Sequence, residues 1–251
     1  MPLKLNKYGW RPDKPDYRDH LYSAASITLD TISASVDLRA SMPKVYDQGQ
    51  LGSCTAQSIA GAIQYDMIRD KKRDFIPSRL FIYYNERVLE NSVNSDSGAE
   101  LRDGIKVVHG IGYCSEKIQP YTISKFKTQP SQKCYSDASK HKIMNYERLS
   151  RDLNVFKSCL AEGNPIIFGF SVYESFESRE TSTTGIMHLP TKYEDQLGGH
   201  AVVMVGYTEN NMFICRNSWG DSWGEKGYFY MPAEYLTTRG LSADFWTIKA
   251  S

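Results

Sequence analysis

The chain has 251 residues, 41% of them hydrophobic, and is long enough to bury roughly 70–75% of its unfolded surface in one large domain or two packed lobes. Its 30 Lys and Arg nearly balance 29 Asp and Glu, so the net charge of +1 gives no electrostatic reason to expect nucleic acid or a membrane surface as partner. The five cysteines are an odd number with no Cys-x-x-Cys pair, which argues for at least one free thiol and against a zinc site.

The N-terminus carries no sign of a secretory signal. Its first ten residues include Lys4 and Lys7 and lack the apolar stretch of ~7–15 residues that such a signal needs. No segment approaches the ~20 apolar residues of a membrane span. We therefore expect a protein made in a reducing compartment, cytoplasmic or packaged into a particle rather than secreted by the classical route.

Residues 1–35 differ from the rest and are predicted to form an extended arm. Pro2, Pro12 and Pro15 alternate with charged residues, and small residues dominate 23–26 and 33–35. The remaining residues, 36–251, are expected to form one domain of two lobes, a helical lobe over about 36–140 and a β lobe over about 141–251.

Helical periodicity begins at Cys54 and continues to Arg69, after a Gly-Ser pair that offers a turn and an N-cap. A second helix is predicted after Pro77-Ser78, with Val88 on its inward face. The remaining predicted helices run from Glu100 to His109 and from Arg151 to Glu162.

Short runs rich in β-branched and aromatic residues dominate the second half and are predicted to be strands. They cover 166–172, 201–207, 212–216, 228–231 and 245–248. Helices concentrated in the first half and strands in the second predict an α+β protein whose halves meet at a cleft.

Cys54 is the leading candidate for a nucleophile. At the start of a helix, unsatisfied N–H groups and the helix dipole favour its thiolate. Such a nucleophile also needs a base, a group that orients the base and donors for an oxyanion. His200, in the β half, is the candidate base, although a histidine among apolar strand residues is by itself better explained as a core residue.

Three separated segments resemble the papain family of cysteine proteases. They are 48–54 (Gln-Gly-Gln-Leu-Gly-Ser-Cys), 198–207, which begins Gly-Gly-His-Ala-Val, and 217–228, which begins Asn-Ser-Trp-Gly. Residues 36–39 also resemble the start of mature family members. The resemblance implies a helical lobe and an antiparallel β-barrel lobe with an active-site cleft between them, protein or peptide substrates, and neither a metal nor a cofactor.

The resemblance also implies catalytic roles. Cys54 would be the nucleophile, His200 its proton partner and Asn217 the group that orients the histidine, while Trp219 shields their hydrogen bond. Gln48, with the backbone N–H of Cys54, would bind the oxyanion. The expected activity is that of an endopeptidase that works through an acyl-enzyme, since 112–150 lacks the His-His insertion of dipeptide-removing relatives.

Substrate contacts are expected from the resemblance at Gly98, Gly199, Trp219 and Asp244. Asp244 would lie at the floor of the main specificity pocket, where a carboxylate suits Arg or Lys two residues before the scissile bond. An exposed or N-capping aspartate beside a hydrophobic pocket is the alternative. Leu51 stands where many secreted relatives have a cysteine whose partner lies near Gly98, and the absence of both cysteines favours a reducing setting.

The segment 8–19 resembles a short leader of some bacterial and large-virus relatives. We hypothesise that the arm packs on the body and partly covers the cleft, as in a zymogen, with Trp10 and Tyr17 as anchors. A permanent structural arm is the alternative. For the whole protein, a catalytically silent scaffold that binds peptides or proteins is the rival to an active protease, and a ligase or acyltransferase using the same intermediate is a third reading.

Overall fold

The computed structural model describes residues 8–23, 33–72 and 74–250. The helices of these residues are α1 (Cys54–Arg69), α2 (Arg79–Leu89), α3 (Leu101–Gly110), α4 (Gln132–Ala138), α5 (Leu153–Ala161), α6 (Arg179–Thr184) and α7 (Ala233–Thr237). The strands are β1 (Trp10–Arg11), β2 (Val36–Asp37), β3 (Ala99–Glu100), β4 (Ile143–Arg148), β5 (Ile166–Tyr173), β6 (Gln196–Tyr207), β7 (Met212–Arg216), β8 (Tyr228–Pro232) and β9 (Ser242–Ala250).

The helix α1 is the central element, with every residue from Cys54 to Met67 buried. It starts and ends where the periodicity predicts. The next helix starts after Ser78, whose hydroxyl accepts a hydrogen bond from the Phe81 N–H at 3.2 Å. Val88 was expected to face inward, but it is 43% exposed because the last turn of α2 projects beyond the core.

One antiparallel sheet forms most of the second half. Its strands follow the order β4-β9-β5-β6-β7-β8, and β2 adds to β6. In register, Phe170 pairs with His200, and Gly169 pairs with both Ala201 and Ala243. Cys54 and α1 share an apolar core with the inner face of this sheet, so the chain has the α+β architecture that the sequence predicts.

The N-terminal arm meets this sheet at its β4 edge, where Leu21 forms an isolated parallel bridge with Arg148. Its strand β1 lies outside the sheet and pairs in parallel with the short strand β3, which precedes α3. Residues 1–7 and 24–32 of the expected arm lie outside the described residues. None of the helices in the described ranges has the length and apolar character needed to cross a membrane.

Candidate active site

Cys54 is the first residue of α1 and is fully buried. The preceding Ser53 occupies the N-cap position, but its hydroxyl does not cap the helix. It contacts the Tyr121 hydroxyl at 2.7 Å and accepts from Gln57 Nε2 at 3.0 Å. Because Cys54 is the first residue of α1, its thiol lies at the positive end of the helix dipole, and this environment stabilises a thiolate.

Gln48 is also fully buried, on the loop that precedes α1. Its Nε2 donates to the Leu51 carbonyl at 2.9 Å, and its Oε1 accepts from the Ser218 hydroxyl at 2.7 Å. Its backbone N–H donates to the Ser218 carbonyl at 2.9 Å. The loop that carries Gln48 is thereby joined to the loop that carries Asn217, across the boundary between the two halves.

His200 on β6 and Asn217 on the loop after β7 are brought together. The Nε2–H of His200 donates to Asn217 Oδ1 at 2.8 Å, and the Ser218 N–H donates to the same oxygen at 2.8 Å. Trp219 stacks on the imidazole with ring centroids 4.9 Å apart. Among the described residues, His200 Nδ1 is buried and has no hydrogen-bond partner. That nitrogen is the one left for proton exchange.

Burial keeps both candidate reacting groups neutral in this state. It raises the pKa of the Cys54 thiol to about 12, although hydrogen bonds from the backbone of Ala201 and Gly9 oppose the rise. It lowers the pKa of His200 to about 4, against the opposing effect of Asn217. Since desolvation disfavours each charged form, a thiol and a neutral imidazole are favoured while the site is covered.

The cover is the N-terminal arm. The Tyr8 ring lies 6.2 Å from the His200 ring and 6.1 Å from that of Trp219, measured between centroids. Gly9 passes directly over the nucleophile loop, where an added Cβ would lie 1.8 Å from the Gly52 carbonyl oxygen. Only glycine permits this approach. The cleft expected to receive substrate is therefore occupied by the chain itself.

The predicted substrate-contact glycines lie against the arm. The Ala99 N–H donates to the Gly9 carbonyl at 2.7 Å, and a Cβ at the neighbouring Gly98 would lie 2.0 Å from that carbonyl oxygen. A Cβ at Gly199 would lie 2.4 Å from the backbone oxygen of Trp10. These positions lack side chains where another backbone must approach closely.

Asp244, the predicted pocket floor, is buried and engaged on both oxygens. Its Oδ1 accepts from Arg148 Nη2 at 2.8 Å, and its Oδ2 accepts from the Asp13 N–H at 2.7 Å. Burial raises the pKa of Asp244, while the Asp13 backbone and Arg148 oppose the rise. Asp244 lies at φ +58°, so its backbone is in the left-handed region.

A charged network holds the arm to both halves. Asp13 accepts from the Arg102 N–H at 3.0 Å and from the Trp246 indole at 2.9 Å. Asp19 pairs with Arg102 at 2.6 Å and with Arg148 at 2.9 Å. Among the expected anchors, Trp10 is buried, but the expectation for Tyr17 was wrong. That side chain is 98% exposed because the anchoring contacts of this segment are made by its aspartates.

An acidic cluster beside the arm offers three carboxylates within 4.8 Å of one another, from Glu90, Glu100 and Asp103. Glu90 is already engaged, by an ion pair with Arg11 and by the Glu100 N–H at 2.7 Å. Because the arm residue Arg11 neutralises Glu90, this carboxylate helps to position the arm. The cluster therefore gives no reason to assign a metal site.

Several residues of the site carry no clear sequence signal. Asp13, Arg102 and Arg148 are charged residues whose meeting depends on the fold. Gly169 does carry one, since a lone glycine in the apolar run 166–172 indicates a close approach by another group.

Comparison with known proteins agrees with this geometry. The model of the papain family cysteine proteases matches residues 32–245. An uncharacterized peptidase C1-like protein of Acanthamoeba polyphaga mimivirus is 42% identical, covering 96% of this chain and 86% of its own. Xylellain, a cysteine protease from Xylella fastidiosa, superposes with a TM-score of 0.92 at 45% identity, covering 99% of this chain and 98% of its own. Digestive procathepsin L2 proteinase of Tenebrio molitor larval midgut shares the fold, with a TM-score of 0.76 at 22% identity, covering 99% of this chain and 80% of its own.

Proposed function

Because the chain belongs to the papain family of cysteine proteases, we propose that it is an endopeptidase that cuts peptide bonds through a covalent acyl-enzyme. The observation that carries this proposal is the His200–Asn217 hydrogen bond of 2.8 Å in a cleft that also holds Cys54 at the start of α1. This arrangement supports the assignment of Cys54 as nucleophile, His200 as base and Asn217 as orienting group.

In the first half of the reaction, the Cys54 thiolate attacks the carbonyl carbon of the scissile bond. Negative charge then moves to the carbonyl oxygen, where Gln48 Nε2 and the Cys54 N–H serve as donors. The His200 imidazolium gives its proton to the leaving amine, the C–N bond breaks and a thioester remains.

In the second half, neutral His200 removes a proton from water, which attacks the thioester carbonyl. The C–S bond breaks, the acid product leaves, and the thiolate–imidazolium pair is restored. Asn217 keeps the ring in one orientation throughout, and Trp219 keeps water away from the hydrogen bond between them.

We further infer that the arm keeps the enzyme latent. Cys54 is completely inaccessible beneath Gly9, so a substrate reaches it only when residues 8–10 move away. Removal of the arm also rehydrates the site, which lowers the pKa of Cys54 and raises that of His200. Uncovering therefore restores access and favours the reactive ion pair.

A thiol-directed epoxide tests both proposals on the full chain. We expect mass spectrometry to find it on Cys54, with casein cleavage lost in Cys54→Ala. Gly9→Ala, which forces a Cβ into the Gly52 carbonyl, should raise the rates of labelling and cleavage about tenfold, since each 1.4 kcal/mol taken from arm docking multiplies the open fraction by about ten.

The matched control is Gly110→Ala, because a Cβ there meets nothing within 4 Å. Labelling without cleavage in Gly9→Ala would favour a silent peptide-binding scaffold. Equal rates in the original chain and in Gly9→Ala would mean that the arm is a permanent structural element.

A further inference from the structure

Tyr121 contacts the loop that carries the two proposed oxyanion donors, the Gln48 side chain and the backbone N–H of Cys54. Its hydroxyl donates to the Gln48 carbonyl at 2.9 Å. The Ser53 hydroxyl lies 2.7 Å from the same phenol oxygen. One phenol therefore joins the residue that supplies the first donor to the residue whose peptide unit with Cys54 supplies the second.

The hydrogen bonds around Tyr121 run in one direction. Gln57 Nε2 donates to the Ser53 hydroxyl oxygen at 3.0 Å. Because the single phenol proton is used on the Gln48 carbonyl, the Ser53 hydroxyl must give its own proton to the phenol oxygen. In such a chain each hydrogen bond polarises the next, so the bonds strengthen one another.

A buried guanidinium begins this chain. Arg79 is 8% exposed, and its Nη1 donates to Gln57 Oε1 at 3.0 Å. Glu116 holds the remaining nitrogens, at 2.9 Å from Nε and 2.7 Å from Nη2. The guanidinium carbon also lies 4.3 Å from the centroid of the Tyr121 ring, within cation–π distance. Arg79 thus fixes Tyr121 both through its ring and through the chain of hydrogen bonds.

The phenol remains a donor at neutral pH. Burial raises the pKa of Tyr121 to about 12, although the hydrogen bond with Ser53 and the charge of Arg79 oppose the rise. On the opposite side of the loop, Ser218 binds the side chain and the N–H of Gln48. Tyr121 therefore supplies a matching contact from the helical half.

We propose that Tyr121 is a positioning residue for the oxyanion, because its hydroxyl sets the spacing between the Gln48 side chain and the Cys54 N–H. The inference rests on the proposed protease function. Oxyanion donors act only when they lie at hydrogen-bond distance from the place that the charged oxygen takes in the transition state. Loss of the hydroxyl therefore slows the chemical step, while the binding of the uncharged substrate stays the same.

The experiment compares Tyr121→Phe with its parent, the full chain that carries Gly9→Ala. We expect kcat to fall about tenfold, less than the roughly 10²–10³-fold loss when a donor is removed, and KM to change less than about twofold. Iodoacetamide should label Cys54 at the same rate in both, because alkylation forms no oxyanion. The matched control is Tyr135→Phe on α4, which removes a phenol hydroxyl that donates to Asn85 Oδ1 at 3.1 Å and should leave kcat unchanged.

A double-mutant cycle with Gln48→Ala tests whether Tyr121 acts through the oxyanion donor. Effects of residues that act through one another are not additive, so Tyr121→Phe should reduce kcat less than about threefold once Gln48 is alanine. A loss of about tenfold in that background would overturn the inference. So would an unchanged kcat, or a higher KM with the same kcat, for Tyr121→Phe alone.

Mass spectrometry of the labelled chains also shows whether each variant is folded, since all five cysteines are buried and Cys54 alone is uncovered by the arm. Where Tyr121→Phe is labelled at every cysteine, Ser53→Ala, which breaks the chain one bond earlier, takes its place with the same expected results. Labelling of Cys54 without cleavage of any peptide by the parent would overturn the protease function and this inference with it. Cleavage by the parent with no loss of kcat in the variant would overturn this inference alone.

Discussion

Asn217 holds the imidazole of His200 through a single hydrogen bond of 2.8 Å. Burial lowers the pKa of His200 and this bond opposes that shift. We therefore expect Asn217→Ala, in the Gly9→Ala background, to reduce kcat/KM about 10- to 100-fold, the equivalent of about 1.5–3 kcal/mol for a hydrogen bond to a charged group.

The same substitution should also move the alkaline limb of the pH–rate profile to lower pH, because the imidazolium loses a proton more easily without its partner. Asn145→Ala, on the exposed part of β4, is the control. A reduced rate with an unmoved alkaline limb would contradict a direct effect on the imidazolium.

Asp96 connects two segments that flank the cleft. Its Oδ1 accepts from the Gly52 N–H at 3.0 Å and from the Tyr83 hydroxyl at 2.6 Å, and that hydroxyl in turn accepts from the Gly98 N–H at 3.2 Å. These bonds join the regions where secreted relatives are expected to have a disulfide. A carboxylate thus makes, without a covalent bond, the connection that the missing cysteines would provide.

We expect Asp96→Ala to lower the free energy of unfolding by about 1–3 kcal/mol, because it leaves buried donors without an acceptor. Urea denaturation measures the change, and Asp221→Ala at an exposed loop position is the control. A reducing agent should not alter either midpoint. Equal midpoints for the two variants would show that Asp96 does not stabilise this region.

The proposed catalytic residues could be predicted from the sequence because each lies in a short local motif. The residues of the arm that fill the cleft could not be predicted from local motifs. Trp10 and Gly169 are far apart in the chain, and nothing in either neighbourhood indicates that one will fill the space above the other. The preference of Asp244 for Arg or Lys, which follows from its position in the sequence, stays a prediction, and its pairing with Arg148 arises only in the folded sheet.

At the scale of elements, α1, α2 and α3 meet at the buried carboxyl of Glu86. Thr55 of α1 donates to its Oε2 at 2.9 Å, and burial raises its pKa well above the ordinary value. On α3, a Cβ at Gly104 would lie 2.2 Å from Glu86 Oε1 and 2.5 Å from Ile59 Cδ1. The three helices therefore pack closely because one position has no side chain.

Gly104→Ala should consequently destabilise the fold by about 1–3 kcal/mol through overpacking. Gly110→Ala in the same helix, with open space around it, should be neutral or slightly stabilising since alanine is the better helix former. Urea midpoints of the two variants provide the comparison. Stabilisation by both substitutions would show that the helices can separate without cost.

Elements with a strong period were predictable, and those with mixed polarity were not. The helix α1 is buried on nearly all sides and its bounds match the prediction to the residue, whereas β4 alternates weakly and has only its first residue buried. That strand lies at the edge of the sheet, where half of its surface faces solvent. This strand supplies Arg148, which binds Asp19 and Asp244, and a pattern of apolar residues gives no information about such a charged residue.

At the scale of the whole molecule, arm docking is coupled to protons. Burial raises the pKa of the Asp13 carboxyl from 3.8 to about 7, and the neighbouring Asp244 adds to the rise. A released arm returns Asp13 toward 3.8, so docking takes up a proton between these values. The groups facing Asp13 are Arg102 on α3, Arg148 on β4 and Asp244 on β9, with Asp19 of the arm bound to the same two arginines.

The docking free energy that comes from this proton is fully present below pH 3.8 and is lost as the pH rises through about 7. We expect the latent chain to open more readily at pH 8 than at pH 5. The measurement is the rate of Cys54 labelling divided by that of Asp13→Asn at each pH, which removes the titration of the thiol itself because the variant keeps the arm and lacks only the titrating carboxyl. We expect this ratio to rise from pH 5 to pH 8, and a ratio that stays constant or falls with pH would contradict the mechanism.

The arm that covers Cys54 is part of the same polypeptide as the cleft beneath it. The covering of Cys54 by the arm is therefore a unimolecular equilibrium, in which the arm has a fixed effective concentration. Dilution of the protein does not uncover the cysteine. A single backbone cut between the arm and the domain would turn the arm into a separate peptide, whose occupancy of the cleft falls as the solution is diluted. Under the proposed latency, the intact chain regains its covered state after each opening, whereas a cut chain loses that capacity at low concentration.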